Sequence, residues 1–356
     1  MSSPSDYKIK KLLSWYDSNR RKFPWRADAG TVPNVYHVWI SEIMLQQTRT
    51  STVIPYFDKF ITRWPTLEDL AKAKRDDILH AWSGLGYYAR ARNLHLCART
   101  VARDYGGVFP SEIDELLMLP GIGLYTASAI AAIAFDQSTV VIDANVERIV
   151  ARLFAVEKPI PQSKVEIKKL AATLFIDQRP GDLAQALMDL GATVCIPKKP
   201  ICANCPWSGS CEANQSGDPG RWPIPNPKSP KVKRFGFVFW VQHPNGSILL
   251  QKRPDRGILG GMTEILGSQW STKPLLASTI QKHAPIASAN WSPVPTKVLH
   301  TFSHFDLELS IYMTSSTTQP EGTFWCPLAN LSSQPFPSLM KKVLGIMNPI
   351  TSYKIC

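Results

Sequence analysis

Hydrophobic positions follow two different periods along this chain. Over roughly the first two-thirds, apolar residues recur three and four positions apart, which predicts amphipathic helices. The predicted helices cover residues 9–19, 36–48, 54–63, 66–73, 76–82, 126–135, 164–177 and 181–194, with two more carrying Arg90 to Arg103 and Val146 to Leu153. From Phe235 onward apolar residues alternate, which predicts strands near 235–241, 248–250 and 307–313 before a last helix near 338–347.

A segment rich in Pro, Gly and Lys separates the two patterns. Such a composition predicts an extended, fairly stiff connection. We therefore predict an all-α domain over residues 1–212, a linker over residues 213–233 and an α+β domain over residues 234–350.

The 356 residues carry a net charge of +12, which suits a polyanionic partner but is also found on ordinary solvated surfaces. No run of about eighteen apolar residues occurs, and the first residues lack the apolar core of a signal peptide. We expect an intracellular monomer with no membrane partner, either cytoplasmic or, in a prokaryote, associated with the nucleoid.

The stretch Leu119-Pro120-Gly121-Ile122-Gly123 precedes a helix made largely of small residues. Because Gly adopts positive φ angles at little cost, we predict a tight hairpin between two helices. The two glycines would let another backbone come close, and the N–H groups that open the second helix would bind a phosphate. Alone, the same stretch is equally typical of a turn that ends a helix.

Asp143 lies twenty residues beyond Gly123, directly before the apolar pattern of another helix. At a helix N-terminus the dipole favours an ionised carboxylate. A phosphate-binding turn and a fixed anion on one scaffold suit cleavage of a glycosidic bond in nucleic acid.

Glu42 stands among apolar residues in a helix that is predicted to be buried. A Glu is seldom buried unless it is paired or has a function. Burial raises the pKa of a carboxyl group, and a raised pKa suits a general acid near neutral pH. The alternative is a structural ion pair with an Arg.

Two aromatic segments have both a structural and a functional interpretation. Phe23-Pro24-Trp25-Arg26 is either plain core or part of a binding site. Gly84-Leu85-Gly86-Tyr87-Tyr88 is either a turn beside a solvated helix or a wedge that enters a base stack while nearby arginines bind phosphates.

Four of the seven cysteines fall within one compact loop: Cys195, Cys202, Cys205 and Cys211. Structural zinc sites usually show two close Cys pairs, whereas this loop has one close pair with a single Cys on either side. Four thiolates in such a loop can bind a [4Fe–4S] cluster, which we favour over zinc and over disulfides. The other cysteines are predicted to be plain thiols: Cys97, Cys326 and Cys356.

Together these segments resemble the MutY-type adenine DNA glycosylases of the helix–hairpin–helix superfamily over nearly the whole chain. The segments that carry the resemblance are PWR (24–26), SEIMLQQT (41–48), GLGYY (84–88), LPGIGLYTA (119–127), VIDANVERI (141–149), the four-Cys loop and TFSHFDLEL (301–309). The resemblance implies an all-α helix–hairpin–helix core with a [4Fe–4S] loop, followed by an α+β Nudix-like domain. That domain lacks the Glu-rich catalytic box of Nudix hydrolases, so we do not expect diphosphate hydrolysis.

The resemblance also implies base-excision repair of double-stranded DNA, in which adenine is released where it is mispaired with 8-oxoguanine or, less well, with guanine. The residues implied to fill the gap that adenine leaves are Gln47, Leu85 and Tyr87. Those implied to recognise 8-oxoguanine are Phe302, Ser303 and His304. The residues placed near the adenine pocket are Trp25, Arg26, Glu42 and Asp189.

By the same resemblance, Glu42 donates a proton to N7 of adenine while ionised Asp143 stabilises an oxocarbenium-like sugar, with or without a transient covalent bond. Tyr125 and Asn145 are implied to orient Asp143 and the reacting water. Relatives of the endonuclease III type carry a Lys where this chain has Tyr125, and that amine attacks the sugar. We therefore expect hydrolysis with little strand cleavage.

Two residues and one segment depart from the common family pattern. Ala144 stands where Gly is usual, and Asp189 is one methylene shorter than the usual Glu. The segment Leu259–Glu264 replaces a more frequent Trp-Glu-Phe-Pro stretch.

Two other functions compete with this one. A bifunctional glycosylase and lyase for oxidised pyrimidines is disfavoured by Tyr125. A non-catalytic DNA-binding module with a redox cluster is disfavoured by the presence of both Glu42 and Asp143.

Overall fold

A computed structural model of the chain describes residues 4–226 and 230–347. The predicted domain end at residue 350, the thiol of Cys356 and residues 227–229 of the predicted linker lie outside the described residues.

Two compact units make up the described chain. The first comprises residues 4–72 and 93–226, and the second comprises residues 73–92 and 230–347. The short segment 73–92 thus belongs to the same unit as the C-terminal third of the chain.

The helices are numbered here in chain order. They are α1 (Pro4–Asn19), α2 (Val35–Leu45), α3 (Thr50–Arg63), α4 (Leu67–Lys72), α5 (Arg75–Ala81), α6 (Ala89–Asp104), α7 (Ile113–Met118), α8 (Leu124–Phe135), α9 (Ala144–Leu153), α10 (Lys164–Ala172), α11 (Pro180–Thr193), α12 (Glu212–Gln215), α13 (Ile280–His283) and α14 (Ser338–Met347). None of the described helices combines the length and the apolar character needed to cross a membrane.

The first unit is all-α, as predicted. The helices predicted for this part of the chain are present, but the one predicted over residues 36–48 ends at Leu45 and the one predicted over residues 164–177 ends at Ala172. There the hydroxyl of Thr173 donates to Leu170 O over 2.7 Å, and such a local bond competes with continuation of a helix. The core of this unit joins α1, α9, α10 and α11 through residues such as Leu12, Ile149 and Leu187.

α8 is buried on nearly all sides and packs against α2 and α11. Ala127, Ala129, Ala131 and Ala132 on this helix are fully buried, so neighbouring backbones can approach closely. A Cβ atom at Gly181, in the first turn of α11, would lie only 2.7 Å from Ala132 O. The run of small residues therefore fixes how near these helices lie to one another.

α2 begins at a conventional cap. The side chain of Asn34 accepts hydrogen bonds from the N–H groups of Tyr36 at 2.9 Å and His37 at 3.3 Å. Eight residues of this helix are buried, among them Glu42. The cap and the buried faces together fix the position of that carboxyl group.

The second unit contains one mixed sheet, and its α+β class is confirmed. The strands are β1 (Val232–Gln242), β2 (Ile248–Lys252), β3 (Thr263–Ile265), β4 (Ser292–Thr301), β5 (Phe305–Ser315) and β6 (Thr323–Cys326). Their order is β3-β2-β1-β5-β4, and β6 also pairs with β2. β1 and β5 are parallel, whereas the other pairs are antiparallel.

β1 is buried on both faces over residues 236–241. Phe237 and Phe239 pack in one apolar cluster, and Val238 and Trp240 pack in another on the opposite face. A central strand covered on both sides carries apolar residues without a break. β3, β4 and β6 were not predicted, because they are short or interrupted by Pro and polar residues.

Candidate active site

A cavity of about 860 Å³ opens in the first unit beside α2, α8 and the start of α9. The predicted site residues that line it are Trp25, Arg26, Glu42, Gln47, Gly121, Gly123, Tyr125, Asp143 and Asn145. Small-molecule sites in proteins span about 300–1,000 Å³. Both predicted catalytic carboxyl groups therefore share one cavity that has room for a purine base.

Glu42 projects from α2 with 6% of its surface exposed. Burial raises the pKa of its carboxyl group to about 7, against a hydrogen bond from Tyr125 that lowers it. The negative charge of Asp143 also raises this pKa, whereas the positive charge of Arg26 lowers it. Near neutral pH a large fraction of this carboxyl group is protonated and can donate a proton.

Tyr125 donates its hydroxyl hydrogen to Glu42 Oε2 over 2.9 Å. This bond forms because the first turn of α8 brings the hydroxyl beside α2, and a role of Tyr125 in orienting Asp143 and the reacting water stays a prediction. Burial raises the pKa of Tyr125 well above its usual range, and the charges of Glu42 and Asp143 add to the rise. The phenol is therefore a permanent donor to Glu42.

Asp143 caps α9. Its Oδ1 accepts the N–H of Val146 at 2.8 Å, and its Oδ2 accepts the side-chain amide of Asn145 at 2.7 Å. α9 begins at Ala144, so the position where relatives carry Gly is ordinary helix that Ala accepts well. Both carboxylate oxygens are thus held, one of them by the side chain of Asn145.

Arg148 carries no motif signal in the sequence, yet it holds the Asn145 side chain. Its Nη2 donates to Asn145 Oδ1 at 2.8 Å and to Gly191 O at 2.7 Å, and its Nε donates to Cys195 O at 2.8 Å. The residue is only 9% exposed. An Arg at an inward position of the amphipathic α9 is the one signal that could have revealed it.

Asp189 is fully buried on α11 and is not among the residues that line the cavity. Its oxygens accept Arg26 Nη1 at 2.7 Å and Nη2 at 2.9 Å, together with Arg21 Nε at 2.7 Å and the Arg21 N–H at 3.0 Å. Burial alone would raise its pKa, but the two guanidinium groups lower it overall. Asp189 therefore anchors Arg26, and Arg21 is a partner that the sequence did not indicate.

The predicted hairpin lies between α7 and α8. Gly121 has φ +79°, and a Cβ atom there would lie 2.6 Å from Asn93 Cβ. Gly123 instead has extended backbone, caps α8 and faces open space, so only the first glycine needs a positive φ angle. The open position of Gly123 leaves the first N–H groups of α8 accessible to an anion.

The four loop cysteines line one small cavity together with Arg152. Arg152 Nη1 donates to Cys195 Sγ at 3.3 Å, and the same guanidinium group donates to the carbonyl oxygens of Ile196 at 2.7 Å, Pro197 at 2.9 Å and Trp222 at 2.9 Å. In residues 4–226 and 230–347, no three Cys, His, Asp or Glu side chains meet as ligands of a single metal ion do. Four thiols around one cavity, with an arginine beside them, are a donor set that suits an iron–sulfur cluster.

The remaining predicted site residues divide between the two units. Gln47, in the first unit, is exposed and has φ +56°. In the second unit Leu85 is 6% exposed and Tyr87 is 47% exposed, so Tyr87 and not Leu85 forms the exposed tip of its loop. The Leu85 side chain is therefore not presented as a wedge here.

The second unit brings Tyr87 to the turn between β4 and β5. The hydroxyl groups of Tyr87 and Ser303 are hydrogen-bonded. Phe302 is half-buried and stacks on Phe305 with ring centroids 4.7 Å apart, whereas Ser303 and His304 are exposed. Phe302 thus anchors this turn, and its two neighbours face outward.

Comparisons with known proteins match both parts of the chain. Residues 40–174 match the HhH-GPD superfamily of base excision DNA repair proteins, and residues 237–345 match a NUDIX domain. The adenine DNA glycosylase of Rattus norvegicus is 35% identical over 95% of this chain and 77% of its own length. The adenine DNA glycosylase of Buchnera aphidicola subsp. Schizaphis graminum is 32% identical over 94% of this chain and 97% of its own length. A solved thermostable thymine-DNA glycosylase aligns with a TM-score of 0.53 and 32% identity over 60% of this chain and 97% of that chain.

Proposed function

Because this chain belongs to the family of adenine DNA glycosylases, we propose that it hydrolyses the N-glycosidic bond of adenine mispaired with 8-oxoguanine or guanine in double-stranded DNA. The observation that carries the proposal is that Glu42 and Asp143 share one base-sized cavity, with the pKa of Glu42 near 7. Adenine must leave the stack to reach this cavity, which costs a few kcal/mol and least at a mispair.

Glu42 is the proposed general acid. Adenine is a poor leaving group until it is protonated, and the protonated carboxyl group would donate to N7 of the base. Tyr125 fixes the orientation of that carboxyl group through the 2.9 Å hydrogen bond. Because a phenolic donor also stabilises the ionised form, it favours release of the proton by Glu42.

Asp143 is the proposed stabiliser of the sugar cation. Departure of the base leaves positive charge on the sugar, and a carboxylate fixed at a helix N-terminus by two donors can oppose it without rearranging. Asn145 keeps the carboxylate in place, and Arg148 keeps Asn145 in place. In this proposal Glu42 acts in its protonated form and Asp143 in its ionised form. Their surroundings differ accordingly, because Glu42 is buried among apolar residues and Asp143 caps a helix.

The proposed reaction is monofunctional. Tyr125 supplies a buried phenol in place of an amine at the position that serves bifunctional relatives, so water is the nucleophile. Strand cleavage would then require alkali or a second enzyme.

Recognition of the base opposite adenine is proposed for the exposed pair Ser303 and His304. Their turn lies in the same unit as the Gly84–Tyr88 loop, and Tyr87 is hydrogen-bonded to Ser303. This arrangement supports a role in which one segment enters the duplex while its neighbour contacts 8-oxoguanine.

A [4Fe–4S] cluster is the proposed cofactor of the loop from Cys195 to Cys211. When bound, such a cluster supplies metal–sulfur bonds that tie the loop into one piece. Arg152 donates to three backbone carbonyl groups around the loop, and Arg148 connects Cys195 O to Asn145. A change in the conformation of this loop would therefore affect Asn145, the side chain that holds Asp143.

The test uses end-labelled duplexes with adenine opposite 8-oxoguanine, analysed on gels with and without alkali. Wild-type protein should give strand breaks only after alkali. Glu42→Gln and Asp143→Asn should each bind the duplex and yet lose about 100- to 10,000-fold in the rate of base release.

The matched control for both variants is Glu147→Gln. Glu147 lines the same cavity but pairs with Lys164 at 3.7 Å and has no assigned role. It should keep its activity within a few-fold of wild type. Base release at the wild-type rate by either Glu42→Gln or Asp143→Asn would contradict the role proposed for that residue.

A further inference from the structure

The glycine-rich segment Leu259–Glu264, which departs from the family pattern, begins inside a tight turn of the second unit. Within this turn Gly257, Leu259 and Gly261 have φ angles of +82°, +59° and +73°. The turn closes on itself, because Gly261 N–H donates to Arg253 O at 3.2 Å and Pro254 O at 3.1 Å. Glycine adopts such angles at little cost, so of these three residues only Leu259 is strained.

Two arginines of segment 73–92 end on this turn. Arg75, the first residue of α5, donates Nη1 to Asp255 Oδ2 at 3.0 Å and Nη2 to Asp255 Oδ1 at 2.5 Å. Arg92, in the first turn of α6, donates Nη1 to Gly260 O. A bidentate Arg–carboxylate pair fixes orientation as well as distance.

The turn has no room for side chains at its two adjacent glycines. A Cβ atom at Gly260 would lie 2.6 Å from Asp255 O, and one at Gly261 would lie 2.7 Å from Arg75 Nη2. Gly260 is thus needed for the turn itself, and Gly261 for the approach of Arg75. The guanidinium group of Arg75 therefore explains the glycine at position 261 only.

Arg75 and Arg92 flank the Gly84–Tyr88 loop on its two sides. One residue on each side of the loop bonds to its backbone. Trp82 Nε1 donates to Gly86 O at 3.2 Å, and Arg90 Nη2 donates to Leu85 O at 3.0 Å and Gly86 O at 3.2 Å. These bonds hold the loop to its own flanks. Contacts that fix the residues on either side of the loop therefore also fix the loop.

Two further contacts tie the first flank to the C-terminal part of the unit. Lys252 Nζ pairs with Asp76 Oδ2 at 2.5 Å, and Ser83 Oγ donates to Phe336 O at 3.1 Å. Beyond them the loop tip reaches the β4–β5 turn, where Tyr87 is hydrogen-bonded to Ser303. Three of these contacts, made by Arg75, Asp76 and Ser83, come before the loop in the chain. The contact of Arg92 comes after it.

We propose that Arg75 and Arg92 are positioning residues, which hold the Gly84–Tyr88 loop beside the Phe302–His304 turn by binding the turn Asp255–Gly261. The inference rests on the proposed function, because it assigns the two segments to one recognition surface. Its consequence is that preference for adenine opposite 8-oxoguanine depends on a salt bridge that lies outside both of these segments. Neither arginine needs to touch DNA for this effect.

The test measures single-turnover base release, with enzyme in saturating excess, from duplexes that pair adenine with 8-oxoguanine or with guanine. Arg75→Gln and Asp255→Asn should each reduce the ratio of the two rates by about two- to five-fold, as loss of a partly exposed pair allows. The charge-swapped double variant, Arg75→Asp with Asp255→Arg, should recover at least half of the lost preference. Recovery separates positioning from direct contact, because a residue that touched DNA would not be rescued by its partner.

The matched control is Glu308→Gln, which breaks the exposed pair with Lys297 at 2.6 Å in the same sheet and should leave the ratio unchanged. A second readout needs no activity: backbone amides 84–88 should exchange hydrogen faster in Arg75→Gln than in wild type or in Glu308→Gln. Unchanged exchange at these amides, or a lost preference that the swap does not restore, would overturn the inference. Wild-type protein that releases no adenine would instead overturn the proposed function, and the exchange measurement would still decide the inference.

Discussion

The hydroxyl of Tyr125 donates to the carboxyl group of Glu42 over 2.9 Å, although 83 positions separate the two residues in the chain. This bond joins the first turn of α8 to the middle of α2. It opposes the effect of burial on Glu42, so the pKa near 7 is the balance of a large upward and a smaller downward contribution.

That balance predicts the effect of Tyr125→Phe. Loss of the hydroxyl removes the donor that favours the ionised form, so the pKa of Glu42 should rise. Because the proposed general acid, Glu42, must be protonated to act, the alkaline limb of the pH–rate profile should move to higher pH. Single-turnover rates of base release between pH 6 and 9 measure this shift of the alkaline limb.

A suitable control is Tyr36→Phe, which removes another buried hydroxyl, the donor to Trp64 O at 2.7 Å, without touching the cavity. Its pH profile should match that of the wild type. An alkaline limb that stays in place in Tyr125→Phe would disconnect this phenol from the titration of Glu42.

Glu42 should also make the protein less stable as the pH rises. Its pKa is about 7 in the folded chain and about 4.5 when unperturbed, so the folded state binds more protons between these values. The contribution of Glu42 to the free energy of unfolding is therefore fully present below pH 4.5 and is lost by about pH 7, a change on the order of 3 kcal/mol.

Glu42→Gln has no such titration, so its stability relative to wild type should increase over the same pH range. Urea unfolding of both proteins at pH 4.5, 6 and 8 tests this difference. A difference that is independent of pH would show that Glu42 does not titrate in this window.

Arg152→Met should destabilise the cysteine loop. The variant leaves the buried carbonyl group of Trp222 and the partly buried carbonyl groups of Ile196 and Pro197 without their donor, at a cost on the order of 3 kcal/mol. Urea unfolding gives the loss, and the iron content of the purified protein reports on the proposed cluster.

Arg221→Met serves as the comparison for this loop. Arg221 is exposed and pairs with Glu157 at 2.7 Å, so its loss should change stability by less than about 1 kcal/mol. Equal stability and iron content in the two arginine variants would mean that Arg152 does not organise the loop.

Asp189→Asn should damage both stability and catalysis. The change leaves two guanidinium groups around a neutral amide in a buried place, and breaking a buried pair costs about 3–5 kcal/mol. Arg26 would lose its bidentate anchor at the cavity, and misplacement of a binding group can cost about 100-fold in rate. Thermal unfolding and single-turnover base release measure the two effects.

Asp104→Asn is the matched change at an exposed pair with Arg103 and should be silent in both measurements. An Asp189→Asn variant that is as stable and as active as Asp104→Asn would remove Asp189 from its role as anchor.

Much of this site can be predicted from short segments of the sequence. The hairpin glycine Gly121, the helix cap Asp143 and the grouped loop cysteines each depend on neighbours within a few positions. A carboxylate directly before an amphipathic helix accepts that helix's own N–H groups whatever the rest of the chain does. The buried Glu42 was also predictable, because the residues around it are nearly all apolar.

Other features depend on residues that are far apart in the chain. Tyr125 bonds to Glu42 and not to Asp143, Arg21 joins Arg26 on Asp189, and Arg148 bridges Asn145 to Cys195. Side-chain hydrogen bonds of this kind follow from how helices pack, and packing has no short-range signature. The same reason explains why segment 73–92, which the sequence assigned to the helical part, packs with the C-terminal unit.

The sequence by itself determined the helices that bear Glu42 and Asp143, the two proposed catalytic residues, since apolar periodicity and turn residues act locally. The tertiary structure alone decided which groups they meet. That choice sets the pKa of Glu42 and the anchoring of Asp143, because burial and partner charges arise only when distant segments are brought together.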